Sequence, residues 1–587
     1  MKPTGSQTIF LLALLLLAFG CARKQDTMHV RLIATADVHA AVFPHDFVND
    51  APMNGSLAHV KTYLDQQRAI RGQHVVFLDN ADLLQGQPTG YYFNFVADRE
   101  THFFADVLNY MQADAASVGN HDIEMGPEVY ERLKNEFNFP WLAANILDIN
   151  TGMPFFEPYT IIEKEGVKIA VLGLVTSSVP NWLPRKLWEN LEFTSMYEAA
   201  VEWMAYIRDN EQPHAIIGLF HSGAGDADHY EGVAATDNAS LFVGKNVPGF
   251  DVIFTAHDHR ERNQYIENAQ GEKVLIIAGQ PFARSLGVVD LHFEKSADGT
   301  FVLSSKEGQI VEMSDYEPSP GMMSKFEKEL QQVTAFVNQS LGELETHLHS
   351  REAFKGNAAF VDFIHQIQLD LTGAQVSLAA PLSFDAVLEA GELTMRDMFR
   401  LYPFENYLYV MELTGLEIKN ALEYSYGLWF NTMEDADDHL MLLRRDEQGM
   451  VAKDQNNRAR FANAFYNLDS ALGINYTVDV TQPAGQRISV TSLSNGERFN
   501  LRARYKVAIN SYRGSGGGGH LTHGAGIEHS DLSDRIRWVS EKDLRAHIAD
   551  YIKTQGVLNP VAGNNWKVVP EEWTATAAER DFKLLFP

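Results

Sequence analysis

Cysteine is nearly absent from this sequence of 587 residues, in which Cys21 is the only one. A single cysteine cannot form a disulfide within the chain, so packing and any bound metal must stabilise the fold. Positive charge is also scarce, because 48 lysines and arginines face 77 aspartates and glutamates, for a formal charge of −29. So acidic a surface repels anionic lipid and the phosphates of duplex nucleic acid, which argues against a protein that binds either through basic residues. An anionic ligand would need a local positive centre, such as a metal or a few arginines.

Long hydrophobic runs are missing as well, and the most continuous one stands near the N-terminus. Ile9–Ala18 is apolar throughout and is preceded by Lys2, a combination too short to span a bilayer but typical of an export signal. The run ends in Ala18-Phe19-Gly20-Cys21, which is similar to the cleavage site of bacterial lipoproteins. We therefore expect residues 1–21 to be a signal peptide and the protein to be exported to the periplasm or cell envelope, with a lipid anchor on Cys21. The alternative is an ordinary secretory signal with an incidental cysteine.

The rest of the chain has the composition of a folded protein, with 45% hydrophobic and 21% charged residues. At roughly 150 residues per domain, its length suggests two to four domains. From about residue 27 to 310, short apolar runs alternate with segments of helical periodicity, which predicts strands buried on both faces of a layered α/β domain. The runs include Val30–Ile33, Val75–Leu78, Ile169–Leu174, Ile216–Phe220 and Val252–Phe254.

The pattern changes near residues 316–320, where Tyr-Glu-Pro-Ser-Pro interrupts it. Met322–Gln339 then has the apolar spacing of a helix. A second globular unit follows, with helical segments at 357–372 and 415–427 and a glycine run at Gly514–Gly519. The predicted units are a first domain at 27–318, a linker helix at 319–340, a second domain at 341–535 and a C-terminal extension of mixed helix and coil at 536–587.

Polar side chains follow several apolar runs at the points where those runs end. The carboxyl ends of strands form the sites of open α/β sheets, so we expect these side chains to lie together. Two divalent ions about 3.5–4 Å apart can hold a phosphoryl group and generate hydroxide between them, using carboxylate, imidazole and amide ligands. The predicted ligands are Asp37, His39, Asp82, Asn120, His221, His257 and His259. Each of these motifs alone is more often a pair of polar side chains with ordinary hydrogen-bond partners, but so many motifs in this order favour a metal site. Such ligands suit two ions of zinc, manganese, cobalt or iron.

The calcineurin-like metallophosphoesterases resemble this chain in the order of these motifs, which are Asp37-x-His39, Asp82, Gly119-Asn120-His121-Asp122, His221 and His257-x-His259. From about residue 30 to 535 the chain is similar to the exported nucleotidases, including at Asp79–Pro88 and Phe139–Asn145. The resemblance implies an α/β fold, in which a layered αββα metallophosphoesterase domain precedes a second, α+β domain that binds nucleotide.

The resemblance also implies roles for the site residues. One metal would be held by Asp37, His39, Asp82 and His259, and the other by Asp82, Asn120, His221 and His257, so that Asp82 bridges them. His121 would lie outside the ligand set and stabilise or protonate the leaving oxygen, oriented by Glu124 or by Asp122. Ala81 stands where the family usually has a glycine before the bridging aspartate.

Two aromatic residues at loop-like positions are predicted to bind substrate. Phe404 precedes Glu405-Asn406, and Tyr512 precedes Arg513 and the glycine run. A base stacked on an aromatic ring gains about 1–3 kcal/mol, and aromatics at both places sandwich the base in the nucleotidases. The alternative is that both are ordinary half-buried aromatics. Arg513 is either a phosphate or ribose contact or a solvated arginine, and the glycine run either lets the backbone approach a ligand or forms a flexible turn.

Ala379–Phe384 separates two branches of the nucleotidases. It lacks the arginine of the Asn-Gly-Gly-x-Arg segment that 5′-nucleotidases carry, and it resembles the 2′,3′-cyclic-nucleotide 2′-phosphodiesterase/3′-nucleotidases. We therefore expect an exported enzyme that hydrolyses 2′,3′-cyclic and 3′-nucleotides by attack of a metal-bridging hydroxide. The alternatives are a 5′-nucleotidase, a metallophosphoesterase of non-nucleotide phosphate esters, and a protein that binds nucleotides without turning them over. A protein that only binds nucleotides has no need of His121.

Overall fold

The computed structural model describes residues 27–232, 236–454 and 456–587. The predicted signal peptide at 1–21 lies outside the described residues, and the lipid anchor on Cys21 therefore stays a prediction. Within the described ranges, no helix combines the length and the apolar character that a membrane span requires.

Two six-stranded sheets form the centre of the first domain. From edge to edge, the first sheet contains Phe301–Glu312, Ser285–Lys295, Thr27–Ala36, Gln73–Asn80, Ala115–Ser117 and Trp141–Leu142. The second contains Arg262–Glu267, Lys273–Ala278, Val252–Thr255, Ala215–His221, Val167–Val175 and Tyr159–Lys164. In each sheet four neighbouring strands run parallel, so their carboxyl ends lie at one edge.

The two sheets pack face to face through a dry core that includes Leu32 and Val76 of the first sheet and Ile169 and Ile217 of the second. The outer faces are covered by the helices Leu57–Arg68, Phe103–Met111 and Pro127–Glu136 on the first sheet, and Met196–Asn210 and Ser240–Asn246 on the second. Because both faces of each sheet are buried, the strands carry continuous apolar runs rather than alternating ones. The predicted fold class is confirmed.

The predicted linker helix is divided in two in the structure. Pro320–Lys325 and Glu327–Val337 are separate helices, and Phe326 between them leaves the helical region at φ −108° and ψ 24°. Its ring is buried edge-on against Phe103 and Tyr110 of the first domain. Apolar spacing continues across the break, and for that reason the sequence predicted a single helix.

The second domain mixes helices with four sheets, the smallest of which pairs Leu348–His349 with Val387–Leu388. A five-stranded sheet contains Ser470–Leu472, Val376–Ala379, Arg504–Asn510, Tyr407–Thr414 and Ile536–Asp543. Two three-stranded sheets contain Gly391–Thr394, Ser340–Leu344 and Val557–Leu558, and Ile488–Leu493, Ile474–Asp479 and Trp566–Val569. The longer helices are Ala359–Thr372, Met395–Leu401, Gly415–Trp429, Leu544–Gln555 and Glu571–Leu585.

Residues 536–587 are an integral part of the second domain rather than an appended extension. They supply one strand to the five-stranded sheet and one to each of the two three-stranded sheets, and Ile548 and Ile552 of the helix Leu544–Gln555 are fully buried. The strand Ile536–Asp543 is mostly exposed or half-buried, because it lies at an edge of its sheet. Its sequence therefore lacks the apolar run by which buried strands are recognised.

Candidate metal centre and substrate cavity

The predicted ligands come together at the carboxyl ends of the parallel strands, where the two sheets meet. Ligand atoms of Asp37, His39 and His259 lie within 4.8 Å of one another, as do those of Asp82, His221 and His257. Asn120 joins the second group, with its Oδ1 at 3.1 Å from His221 Nε2. Asn80 fastens the sheets beneath the site, since its Nδ2 donates to the carbonyl oxygens of Phe220 and Phe254, both at 3.2 Å.

The loops that carry the ligands have a left-handed backbone. The φ angles are 50° at Asp37, 48° at His39 and at Asp82, 76° at His257 and 54° at His259. Non-glycine residues adopt this conformation at a cost and cluster at functional sites when they do. Ala81 also has a positive φ, 69°, which accounts for the preference for glycine there. The strand ends therefore turn sharply so that several side chains point into one space.

Hydrogen bonds to backbone carbonyls set the orientation of two histidine rings. His39 Nδ1 lies 2.9 Å from the oxygen of Gln85, and His221 Nδ1 lies 3.1 Å from the oxygen of Asn80. A carbonyl only accepts, so each Nδ1 carries a proton and Nε2 is the ring atom directed at the site. Burial lowers the pKa of His39 to about 3, which keeps the ring neutral and able to bind a cation. His39 Nε2 faces His259 Nε2 at 2.9 Å.

His257 is held by a carboxylate that sequence reasoning missed. Its Nε2 lies 2.9 Å from Asp237 Oδ1, which leaves Nδ1 as the ring atom available to a metal. Trp182 stacks on the same ring at 5.5 Å between centroids and 21° between planes. A carboxylate behind a ligating histidine is the usual arrangement around protein-bound metals. Asp237 lies in a loop after no apolar run, so the sequence carried no signal for it.

This donor set fits divalent cations. It combines buried carboxylates, imidazoles and an amide oxygen, as zinc, manganese, cobalt and iron sites do. Burial raises the pKa of Asp37, and the carboxylate of Asp82 lies 3.1 Å from His221 Nε2. Carboxylates this deeply buried need positive charge beside them to stay ionised, and a metal would supply that charge.

His121 and Glu124 form a pair next to the ligands. Glu124 Oε2 lies 2.5 Å from His121 Nδ1, one turn apart on the helix Asn120–Glu124. Burial alone would disfavour the charged ring, but the carboxylates of Asp82 and Glu124 outweigh it and raise the pKa of His121 to about 10. The imidazole is therefore protonated at neutral pH, with its Nε2 left for the adjoining cavity.

Asp122 does not orient His121 in this structure. Its carboxylate accepts hydrogen bonds from the backbone N–H groups of Asp82, Leu83, Leu84 and Gly119 at 2.9–3.2 Å. Asp122 is buried and shapes the turn that presents Asp82, so of the two predicted partners Glu124 holds the imidazole.

A cavity of about 1030 Å³ adjoins the metal ligands, at the upper end of the range for small-molecule sites. Residues of both domains line it, among them His39, Gln85, His121, His259, Phe282 and Arg284 of the first, and Ser383, Phe384, Arg400, Pro403 and Phe404 of the second. The predicted aromatic Phe404 therefore shares a cavity with His121 and two predicted metal ligands. A ligand bound there would contact both domains.

Tyr512 lies outside the lining of this cavity but close to the second metal group. Burial raises the pKa of Tyr512, and among the nearby acidic groups Asp237, the partner of His257, contributes to that rise. A Cβ on Gly517 would lie 2.6 Å from the Tyr512 ring, so the glycine run packs directly on one face of the tyrosine. The run makes room for a side chain of the protein itself. Tyr466, which sequence reasoning missed, contacts Phe404 edge-on at 6.4 Å between centroids.

The predicted role of Arg513 in substrate binding does not fit the structure. The side chain is 2% exposed, and its donors are used within the second domain. Asp469 accepts hydrogen bonds from Nε at 2.9 Å and from Nη2 at 2.8 Å. The remaining N–H groups donate to Asn467 Oδ1 and to the backbone oxygens of Tyr466 and Gly517. With no donor left over, Arg513 supports the Tyr512 loop and has no free group for a phosphate or ribose.

Comparison with known proteins agrees with both halves of this description. Residues 30–261 match the calcineurin-like phosphoesterase family and residues 334–523 match the 5′-nucleotidase C-terminal domain. The chain is 26% identical, over 93% of its length, to a trifunctional nucleotide phosphoesterase of Bacillus subtilis, but it spans only 39% of that protein. It is 25% identical to the 2′,3′-cyclic-nucleotide 2′-phosphodiesterase/3′-nucleotidase of Haemophilus influenzae over 95% of this chain and 90% of that protein.

A solved structure of a Staphylococcus aureus protein in complex with α-ketoglutarate has the same fold, with a TM-score of 0.74 at 20% identity. The match covers 92% of this chain and 99% of that one. The fold and the two ligand groups define the class as the metal-dependent hydrolases of phosphoric esters. The chain belongs to the family that joins a calcineurin-like phosphoesterase domain to a 5′-nucleotidase C-terminal domain.

Proposed function

We propose that the protein hydrolyses 2′,3′-cyclic nucleotides and 3′-nucleotides with the help of two divalent metals of zinc, manganese, cobalt or iron. The observation that carries this proposal is the shared cavity, because Phe404 of the second domain lines it together with His39, His121 and His259 of the first. One substrate can therefore present its phosphate to the metal ligands and its base to an aromatic ring.

The bound metals would supply positive charge for the phosphoryl oxygens and acidify a water molecule. Asp37, His39, Asp82 and His259 would hold one ion, and Asp82, Asn120, His221 and His257 the other. His121 has a separate task, because its Nδ1 is engaged by Glu124 and its pKa is raised to about 10. The protonated ring donates from Nε2 to the leaving ribose oxygen as the P–O bond breaks, and the Glu124 carboxylate keeps the ring oriented.

The cyclic and 3′ substrates are favoured by the segment Ala379–Phe384. Ser383 and Phe384 line the cavity, and Ser383 Oγ donates to the carbonyl oxygen of Arg400 at 2.6 Å. No residue of this segment can offer the arginine that 5′-nucleotidases carry there. A 5′-nucleotidase is the second candidate, supported by the family match of residues 334–523.

A rate comparison tests the proposal. Metal-loaded protein would be assayed on 2′,3′-cyclic AMP, 3′-AMP, 5′-AMP and bis-para-nitrophenyl phosphate, with a chelator control. We expect the cyclic and 3′ substrates to be turned over fastest. Dominant hydrolysis of 5′-AMP would establish the second candidate, and cleavage of the artificial ester alone would point to a non-nucleotide phosphate ester.

We also propose that the protein is exported and anchored to the cell envelope through Cys21. Lys2 and the apolar run Ile9–Ala18 support this proposal. The Cys21→Ser substitution should move the protein from the membrane to the soluble periplasmic fraction, as cell fractionation would show. An unchanged distribution would contradict the anchor.

A further inference from the structure

A buried carboxylate joins the two domains beside the metal centre. Glu405 Oε2 accepts from Gln85 Nε2 of the first domain at 2.9 Å, and Glu405 Oε1 accepts from Arg545 Nη1 at 2.7 Å. Arg545 is completely buried, and its Nε donates to the carbonyl oxygen of Tyr402 at 2.8 Å. Glu405 is 6% exposed and so is Gln85. The contact between the domains is therefore a hydrogen bond to a desolvated, paired charge, which is stronger than one at a wet surface.

Each end of this contact is attached to a functional element. The backbone oxygen of Gln85 accepts the His39 Nδ1 hydrogen bond that sets the ring of a metal ligand. A Cβ on the next residue, Gly86, would lie 2.6 Å from His39 Cβ, so this loop packs directly behind that ligand. At the other end, Glu405 directly follows Phe404, whose side chain lines the cavity. One buried hydrogen bond thus links the segment that orients His39 to the segment that carries the aromatic ring.

The contacts that Arg400 and Arg396 make with the first domain lack this double attachment. Arg400 Nε donates to the carbonyl oxygen of Val48 at 2.9 Å, and Arg396 pairs with Asp50 at 2.7 Å, where the Asp50 side chain is 62% exposed. An exposed pair contributes little to holding one arrangement. Loss of the Gln85 donor would instead leave a lone pair of Glu405 without its partner in a dry environment.

We propose that Glu405 is a positioning residue that fixes residues 402–406 against residues 82–87 and so sets the distance between the aromatic ring and the metal centre. This inference rests on the proposed function insofar as the substrate is a nucleotide. Substrates that need only the metals and His121 do not depend on the contact. Substrates that use Phe404 and the metals together do, because the fraction of molecules with both in register determines their apparent affinity.

The test is the Gln85→Met variant, which removes the donor, keeps the backbone carbonyl that orients His39 and leaves the pair of Glu405 with Arg545 intact. We expect KM for 2′,3′-cyclic AMP to rise about tenfold or more, and the loss of kcat/KM for bis-para-nitrophenyl phosphate, which does not use Phe404, to be several times smaller. Metal content measured by mass spectrometry should not change. Asp50→Asn is the matched control, since it removes an exposed contact between the domains and should leave both substrates at parental values.

A second readout does not require activity. With Cys21 replaced by serine, spin labels on Asp209→Cys and Arg502→Cys report the distance between the domains. Gln85→Met should shift this distance distribution to longer values, and Asp50→Asn should not. Glu405→Gln should shift it in the same direction if the variant folds.

Three results would overturn the inference. They are an unchanged distance distribution in Gln85→Met, an equal loss of rate on both substrates, and a loss of bound metal, which would show that Gln85 acts only through His39. If the parent protein hydrolyses no nucleotide, the proposed function fails, and the distance measurement alone still decides whether the contact holds the domains in register.

Discussion

Replacement of Glu124 by glutamine tests the proposed role of His121 most directly. The carboxylate lies 2.5 Å from His121 Nδ1 and is one of three, with those of Asp82 and Glu405, that raise the pKa of the ring to about 10. An opposite charge this close shifts a pKa by about 1–3 units. Because glutamine carries no charge, we expect the substitution to lower the pKa of His121. The protonated ring is the proton donor, so activity is lost as the pH rises through this pKa, and the alkaline limb should move to lower pH.

At pH values below the alkaline limb, the expected loss of rate follows from the same hydrogen bond between Glu124 and His121. A hydrogen bond to a charged group contributes about 1.5–3 kcal/mol, so kcat/KM for 3′-AMP should fall about ten- to hundredfold. Nitrophenolate leaves without help from an acid, so the loss on bis-para-nitrophenyl phosphate should be much smaller. The assay is kcat/KM against pH on both substrates. Glu128→Gln, the same change at an exposed position four residues along the chain, is the control.

An equal loss on both substrates with an unmoved alkaline limb would refute the reasoning. It would mean that Glu124 supports the fold of the helix Asn120–Glu124 rather than the protonation of His121. His121→Asn should then also affect both substrates equally, whereas proton donation predicts a loss of several orders of magnitude on the nucleotide.

Three further predictions follow from the site. Tyr512→Ala should raise KM for nucleotides about 5- to 150-fold, from a stacking energy of about 1–3 kcal/mol, and leave bis-para-nitrophenyl phosphate unaffected; an equal change on both would remove Tyr512 from base binding. Arg513→Met should lower the free energy of unfolding by about 3–5 kcal/mol, because it leaves the buried Asp469 unpaired, as denaturant titration would show; unchanged stability would contradict the buried pair. Asp237→Asn should weaken binding of one metal about 10- to 100-fold through His257, as metal titration measures; two unchanged affinities would remove Asp237 from the centre.

The grouping of the predicted metal ligands could be anticipated from sequence because each follows an apolar run and therefore lies at a strand end. His221 and His257 illustrate this, since the strands before them are fully buried. Asp237 could not be predicted in this way, because it reaches His257 from a loop with no periodicity. The contact of Gln85 with Glu405 joins residues 320 positions apart, and local pattern contains no such pairing.

The sequence also could not predict which charged residues are buried. Arg513 stands beside Tyr512 and before a glycine run, a context that suggests an exposed ligand contact. The structure instead encloses its guanidinium with Asp469 and backbone carbonyls. Nothing in the neighbouring sequence indicates Asp469, which lies 44 positions away. The strand Ile536–Asp543 was missed for the opposite reason, because an exposed edge strand has no apolar signature.

The left-handed backbone at the ligand positions also restricts which amino acids can replace one another there. Aspartate and histidine, together with asparagine, are the residues other than glycine that adopt positive φ most readily, and they are also the residues that bind transition metals through oxygen and nitrogen. Glutamate offers the same carboxylate but a poorer fit to φ values near 50°. Substitution at Asp37, Asp82 or His259 is thus limited twice, once by coordination chemistry and once by conformation. Transplanting this centre to another scaffold would require copying the turns as well as the side chains.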